Sequence, residues 1–279
     1  MFYSKFENFW TSITSKSGEG LGDAVSSPLS NAESVEASIM KIDVMETLQN
    51  LASSDLIGES SKMIVHEREY ESQTVPNRGR YPFIVSLEGN IGAGKSTIIE
   101  KLREKYEGNL EDRTKYFGRL ADAKIVFMQE PVDVWTSVCD SVTGESILEK
   151  FYKDPKTYSF AFQVMVYNTH LEAFRRAVKE NPDCVLLICE RSIDAGRHIF
   201  SQMLKDDGMI DDVSFQVYQK LFDSTAHEFP LDAVLHLDVV PEICLQRIGK
   251  RSRDGEDSIS LEYLEKCDKY YREWLSVPE

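Results

Sequence analysis

Three features of the sequence predict an α/β fold, a parallel sheet flanked by helices. Four apolar runs of strand length, FIVSLE (83–88), KIVFMQE (124–130), CVLLICE (184–190) and AVLHLDV (233–239), are continuous rather than alternating, the pattern of strands covered on both faces. Longer stretches of helical periodicity separate or follow them: TIIEKLREKY, SFAFQVMVYNTHLEAFRRAVKE, SFQVYQKLFDSTA and PEICLQRIGKR, so the chain reads as a β-α repeat. Each run also ends at or beside an acidic residue, Glu88, Glu130, Glu190 or Asp238. In open α/β sheets ligands bind beyond the carboxyl ends of the strands.

A chain of 279 residues can bury one large core, or one core and a small attachment. No apolar run approaches the roughly 18 residues of a membrane span, so no transmembrane segment is predicted. The formal net charge of -15 argues against a nucleic-acid partner, because that binding rests on clustered cations releasing counterions. The five cysteines, Cys139, Cys184, Cys189, Cys244 and Cys267, are scattered and lack the paired short spacings of a zinc site. They read as free thiols in a reducing compartment. The N-terminus has no basic flank before an apolar core, and Glu7, Glu19 and Asp23 precede the first arginine, Arg68, so neither a secretory signal nor a mitochondrial presequence is predicted. The expected location is the cytoplasm.

Residues 1–80 are serine-rich and end in the polar stretch SQTVPNRGR. They are predicted to form a mostly disordered extension without strands. Within it Phe2, Phe6 and Phe9 fall at i, i+4, i+7, as do Val35, Ile39 and Ile42, the spacing of two short amphipathic helices. These serve either as a partner or membrane-surface anchor or as transient helicity in a disordered arm. The second domain, residues 81–279, carries the chemistry.

Gly89, Asn90, Ile91, Gly92, Ala93, Gly94, Lys95 and Ser96 match G-x-x-x-x-G-K-[ST], with a buried strand before and a helix, including Thr97, after. Glycines let the backbone wrap with its N–H groups inward, and the helix start adds the positive end of its dipole. The loop is built to hold a polyphosphate, with Lys95 reaching the β and γ phosphates and Ser96 ligating Mg²⁺. No N-K-x-D motif of a GTPase and no second glycine-rich signature of an ABC-type ATPase follows.

Glu130, fixed by Pro131, closes the second strand and faces the loop as a candidate proton acceptor; a strand-end salt bridge is the alternative. Glu190 and Arg191, in CERS, stand at a third strand tip, where Glu190 supports the metal and Arg191 braces phosphate or the acceptor oxygen, or the two form an ordinary ion pair. Arg247, Arg251 and Arg253 lie in LQRIGKRSRDGED, either a mobile lid that stabilises transferring phosphate or a solvated helix end.

Together the motifs GNIGAGKST, EPVDVW, YSFAFQ, ERSIDAGRHIF, RIGKRSR and LEYLEK, spread over residues 82–275, resemble the deoxyribonucleoside kinase family. That group contains deoxycytidine and deoxyguanosine kinases, mitochondrial thymidine kinase and the insect broad-specificity enzyme. The resemblance implies transfer of the γ-phosphate of ATP to a nucleoside 5′-hydroxyl, usually by a homodimer. It implies that Glu130 is the general base, that Arg191 neighbours the 5′-oxygen, and that Gln163 reads the base edge. Trp135, Phe162 and Phe200 become walls of the base site, Tyr152 and Glu256 hold the 3′-hydroxyl, and Arg247, Arg251 and Arg253 form the lid.

Where deoxycytidine kinase carries an arginine, an aspartate and an alanine, this chain has His170, Gly196 and Val166. The expectation is a preference for pyrimidines, with Gly196 leaving room for a thymine methyl and His170 either adding a contact or filling helix surface. The family continues past REWL into another core strand, whose following loop covers the adenine, whereas this sequence stops at Glu279. Four strands are therefore expected, in a fragment or a variant with an impaired donor site. A non-catalytic nucleotide-binding or dimerisation protein and a nucleoside monophosphate kinase are the alternatives.

Overall fold

The structure is a computed structural model that describes residues 28–58, 60–68, 82–251 and 256–276. The chain divides into two units, Met1–Ser38 and Ile39–Glu279. The described part of the first is the opening of helix α1 (Pro28–Ala52). The second holds the sheet: β1 (Lys62–Glu67), β2 (Phe83–Glu88), β3 (Ile125–Met128), β4 (Leu186–Glu190) and β5 (Ala233–Asp238), in spatial order β1-β5-β2-β4-β3.

Four of these strands coincide with the apolar runs and pair in parallel, with Val85 opposite both Ile188 and Ala233, and Met128 opposite Cys189. Alternate residues point to opposite layers. Val85, Leu87, Leu186, Ile188 and Leu235 join one core, while Ile84, Leu187, Cys189 and Val234 join another. Both faces are covered, which is why the runs are apolar without alternation.

The first layer contains α1, α2 (Lys95–Glu107), α3 (Leu110–Phe117) and, further along the chain, α10 (Pro241–Arg251). The opposite layer contains α6 (Pro155–Glu180), the short α7 (Ile193–Ala195), a π-helical turn Gly196–Ser201, α8 (Gln202–Asp206), α9 (Asp212–Thr225) and α11 (Leu261–Ser276). Helices α4 (Val132–Ser137) and α5 (Ile147–Lys153) pack on α6 around Trp135, Leu148, Phe151 and Phe162, a third cluster.

The prediction of a strandless, disordered stretch up to residue 80 fails over two segments. Helix α1 buries Val44, Thr47, Leu48 and Leu51, each at most 1% exposed, the i, i+3, i+4, i+7 stripe of a core-facing helix. The Thr47 hydroxyl also donates to the Phe117 carbonyl at 3.1 Å. Ile42 is 62% exposed, and the helix docks on its own protein's core through the Val44 stripe; the side chains of Val35 and Ile39 lie outside those the structure describes. The Phe2, Phe6, Phe9 pattern lies outside the described residues.

The second segment is β1, which pairs antiparallel with β5, Val65 opposite Leu235. It supplies a fifth strand beside β5 where four strands were expected in all, and turns a four-stranded parallel sheet into a mixed one. An uncovered β5 edge would present unpaired amides and carbonyls; β1 removes that liability. Met63 and Val65 pack against the core while Ile64 is 40% exposed, the alternation of a half-buried edge strand.

Candidate active site

Beyond β2 the chain turns through Gly89–Gly94 and enters α2 at Lys95. Gly89 and Gly92 adopt φ of +142° and +78°, and a Cβ there would stand 2.6 Å from the Leu237 carbonyl oxygen and 2.5 Å from that of Cys244. The turn is pressed against the backbone of β5 and α10, where no side chain fits. Asn90 anchors it by donating to the Leu264 carbonyl at 2.8 Å and accepting from the Ile91 amide at 2.9 Å.

The Lys95 ammonium folds over the loop and donates to the Gly89 and Asn90 carbonyls at 3.0 and 2.9 Å. Burial pulls its pKa down to about 8, helped by the Arg191 charge and opposed by Glu190, Glu130 and Glu88. The Ser96 hydroxyl donates to Glu190 Oε1 at 2.8 Å.

Strand β3 ends at Met128, so Glu130 stands two residues past the strand rather than closing it. Its Oε1 lies 3.0 Å from Arg191 Nε. The same guanidinium, through Nη1, donates to the Gly89 carbonyl at 3.2 Å and to the Tyr271 hydroxyl at 2.5 Å. One side chain thus ties the acidic group to the base of the phosphate loop.

Arg191 has φ of +63°, a left-handed conformation in a non-glycine residue, which costs on the order of 1 kcal/mol. Surrounding bonds hold it there. Its amide donates to the Leu87 carbonyl at 3.1 Å, and Ser192 donates to Glu88 Oε1 through its amide and hydroxyl at 2.8 and 2.7 Å. Tyr271 donates to Glu88 Oε2 at 3.1 Å. Burial raises the Glu88 pKa, against the Arg191 charge and the Ser192 hydrogen bonds.

Neither Glu88 nor Tyr271 is singled out as a site residue in the sequence. Glu88 reads there as one more strand-end acid, and Tyr271 belongs to the buried stripe Leu264, Cys267, Tyr271, Trp274 of α11, indistinguishable from core.

A cavity of about 790 Å³ runs from the loop past Glu130 and Arg191. Ile91 through Thr97 line one part of it, and Trp135, Tyr152, Phe162, Gln163, Val166, His170, Gly196, Phe200 and Glu256 line another, with Glu190, Arg247 and Arg251. Gly89 and Asn90 stand at the loop's base. Arg253 lies outside the described residues. Phe162 stacks on Phe151 at 4.6 Å between centroids and meets Trp135 edge-on at 5.7 Å. Phe200 lies 4.7 Å beneath the Arg191 guanidinium. Gln163 is buried and accepts from the Ser201 hydroxyl through Oε1 at 3.3 Å.

His170 is 1% exposed, which overturns the expectation that it fills helix surface. Its Nδ1 sits 3.0 Å from the Val166 carbonyl oxygen, which can only accept, so Nδ1 carries a proton, and in the neutral imidazole Nε2 is then the acceptor. Nε2 has no hydrogen-bond partner among the described residues. Beside Gly196, a Cβ would meet the Tyr218 hydroxyl at 3.2 Å. Tyr218 thus bounds the space beside Gly196.

The two described arginines of the predicted lid are engaged within the chain. Arg251 Nε and Nη2 lie 3.1 and 2.5 Å from Glu256 Oε2. Arg247 donates to the Ala93 carbonyl at 2.6 Å through Nη1 and to the Ser60 hydroxyl at 3.2 Å through Nη2. Burial and the Glu256 carboxylate raise the pKa of the Tyr152 phenol, so Tyr152, Glu256 and Arg251 converge on one side of the cavity.

Residues 85–278 match the family model described as deoxynucleoside kinase. The chain is 30% identical over 195 residues to the probable deoxycytidine kinase of fowlpox virus, covering 69% of this chain and 71% of that protein. It is 29% identical over 209 residues to human deoxycytidine kinase, covering 68% and 74%. It is also 29% identical over 197 residues to the thymidine kinase of ictalurid herpesvirus 1, covering 70% and 75%. A phosphate loop facing a carboxylate across a cavity, on a chain that matches this model over most of its length, admits one conclusion: the protein belongs to the deoxynucleoside kinase family and is a kinase of deoxynucleosides.

Proposed function

We propose that the protein transfers the γ-phosphate of ATP to the 5′-hydroxyl of a pyrimidine deoxyribonucleoside, in nucleotide salvage. The observation that carries this reading is the contact of Arg191 with Glu130 at 3.0 Å in a cavity shared with the phosphate loop. A carboxylate, a guanidinium and a phosphate cradle are the three groups that phosphoryl transfer to an alcohol requires.

In the reaction the loop amides and the α2 dipole hold the phosphates, and Lys95 exchanges its carbonyl partners for the β and γ oxygens. Glu130 takes the 5′-hydroxyl proton as the oxygen bonds to the γ-phosphorus. The bond from that phosphorus to the β–γ bridging oxygen breaks and ADP departs. Arg191 faces the oxygens on which charge accumulates, and Arg247 and Arg251 close from α10.

Ser96 and Glu190 offer hard oxygen donors 2.8 Å apart, which fits Mg²⁺, an ion usually held by one or two carboxylates plus substrate phosphates. When bound, the ion would neutralise phosphate charge.

The base slot supports the pyrimidine reading. Phe151, Phe162 and Phe200 supply apolar walls, Gln163 offers both a donor and an acceptor, and Tyr218 lines the same cavity beside Gly196. In neutral His170, Nε2, without a partner among the described residues, accepts hydrogen bonds, which suits the 4-amino group of cytosine better than the 4-oxo group of thymine. Deoxycytidine is therefore the first substrate and thymidine the second.

The role of Glu130 is tested with Glu130→Gln. The expected kcat falls about 10²- to 10⁴-fold while deoxycytidine binding, measured by calorimetry, stays within a few fold. Unchanged turnover would reject the assignment.

A further inference from the structure

The cavity does not end at the phosphate loop. It continues past Ser96, Thr97, Glu100 and Lys101 on α2 to Leu56, Ile57, Gly58 and Ser61, in the connection between α1 and β1. The acceptor reading uses none of these last four. They are placed by two elements at once: α1, whose Val44, Leu48 and Leu51 are buried in the core, and β1, which is paired with β5. The connection is therefore held rather than draped.

Two arginines grip the phosphate loop at separate carbonyls. Arg191 holds Gly89 and faces Glu130; Arg247 holds Ala93 and reaches Ser60. A triphosphate whose γ-phosphate lies beside Glu130 and Arg191 must send its α-phosphate and nucleoside away from that pair. The Arg247 side of the loop is where the cavity continues. There the wall is Leu56 and Ile57 with the open backbone at Gly58, where an added Cβ would touch nothing within 4 Å. The Lys101 ammonium stands at this wall, 3.5 Å from the Leu56 carbonyl oxygen. An apolar surface next to a cation suits an aromatic base attached to phosphate.

Resting on the proposed kinase reaction, we infer that the α1–β1 connection, chiefly Ile57 and Gly58, forms the binding wall for the nucleobase of the phosphate donor, a purine nucleoside triphosphate. The N-terminal segment is then part of the donor site as well as of the sheet.

The test uses the full chain and 8-azido-ATP as photolabel, with unlabelled ATP as competitor. Cleavage after Lys41 and Lys62 releases residues 42–62 as one tryptic peptide. Label in that peptide, lost when ATP is added, is the expected result; ATP-protected label found elsewhere and never in this peptide overturns the inference. In steady-state kinetics Ile57→Ala should raise the KM for ATP about fivefold, with kcat and the KM for deoxycytidine within twofold. An unchanged KM for ATP in a folded variant also overturns it. A protein labelled in residues 42–62 that phosphorylates no deoxynucleoside would instead defeat the acceptor reading and leave this one standing.

Discussion

At the scale of single residues, the phosphate loop was readable because its chemistry is backbone chemistry and leaves a fixed glycine spacing. Glu130, Arg191 and Gln163, which line one cavity, stood out through motifs. Glu88 and Tyr271 did not, because a buried carboxylate and a buried phenol look like a strand end and a core position until the fold brings them to Arg191. Lys95 carries a testable pH dependence. With its pKa lowered to about 8 by burial, the free enzyme loses this charge as pH rises through that value, and binding a polyanion then requires taking up a proton. ATP affinity should therefore fall roughly five- to tenfold from about pH 7 to 9, measured by calorimetry. Lys95→Ala should bind weakly with little slope, whereas a flat wild-type profile would contradict the account. His170 carries another prediction. His170→Leu removes the acceptor at Nε2 and should lower kcat/KM for deoxycytidine about tenfold relative to thymidine. An unchanged ratio in competition assays would show that Nε2 does not face the base.

At the scale of elements, the four parallel strands were legible because burial on both faces leaves unbroken apolar runs. The edge strand β1 was not, since KMIVHE is short, half polar and set between polar segments. An antiparallel edge strand needs only one apolar face, and Met63 and Val65 provide it. Helix α1 was misread because the serine-rich texture before it masks the stripe that begins at Val44. Its packing has a direct energetic test: Leu48 is fully buried, so Leu48→Ala should cost about 2–4 kcal/mol in urea unfolding. A loss under about 0.5 kcal/mol would mean that α1 is not docked on the core.

At the scale of the whole molecule, α1 and β1 complete a sheet whose other strands carry the site. The phosphate loop follows β2, Glu130 follows β3, Arg191 follows β4, and α10 with Arg247 and Arg251 follows β5. Adjacent strand ends thus deliver the phosphate loop, Glu130 and the arginines to one cleft, an arrangement visible in the β-α repeat of the sequence. On the proposed reading the acceptor's identity was less legible, because that reading turns on which nitrogen of His170 bears the proton and on Tyr218, a residue 22 positions beyond Gly196 in sequence. The most direct test is to incubate the protein with γ-³²P-labelled ATP, Mg²⁺ and deoxycytidine and identify the labelled product by chromatography. The account predicts label in deoxycytidine 5′-monophosphate. Label released only as inorganic phosphate, or transferred to added deoxycytidine monophosphate but not to the nucleoside, would contradict it.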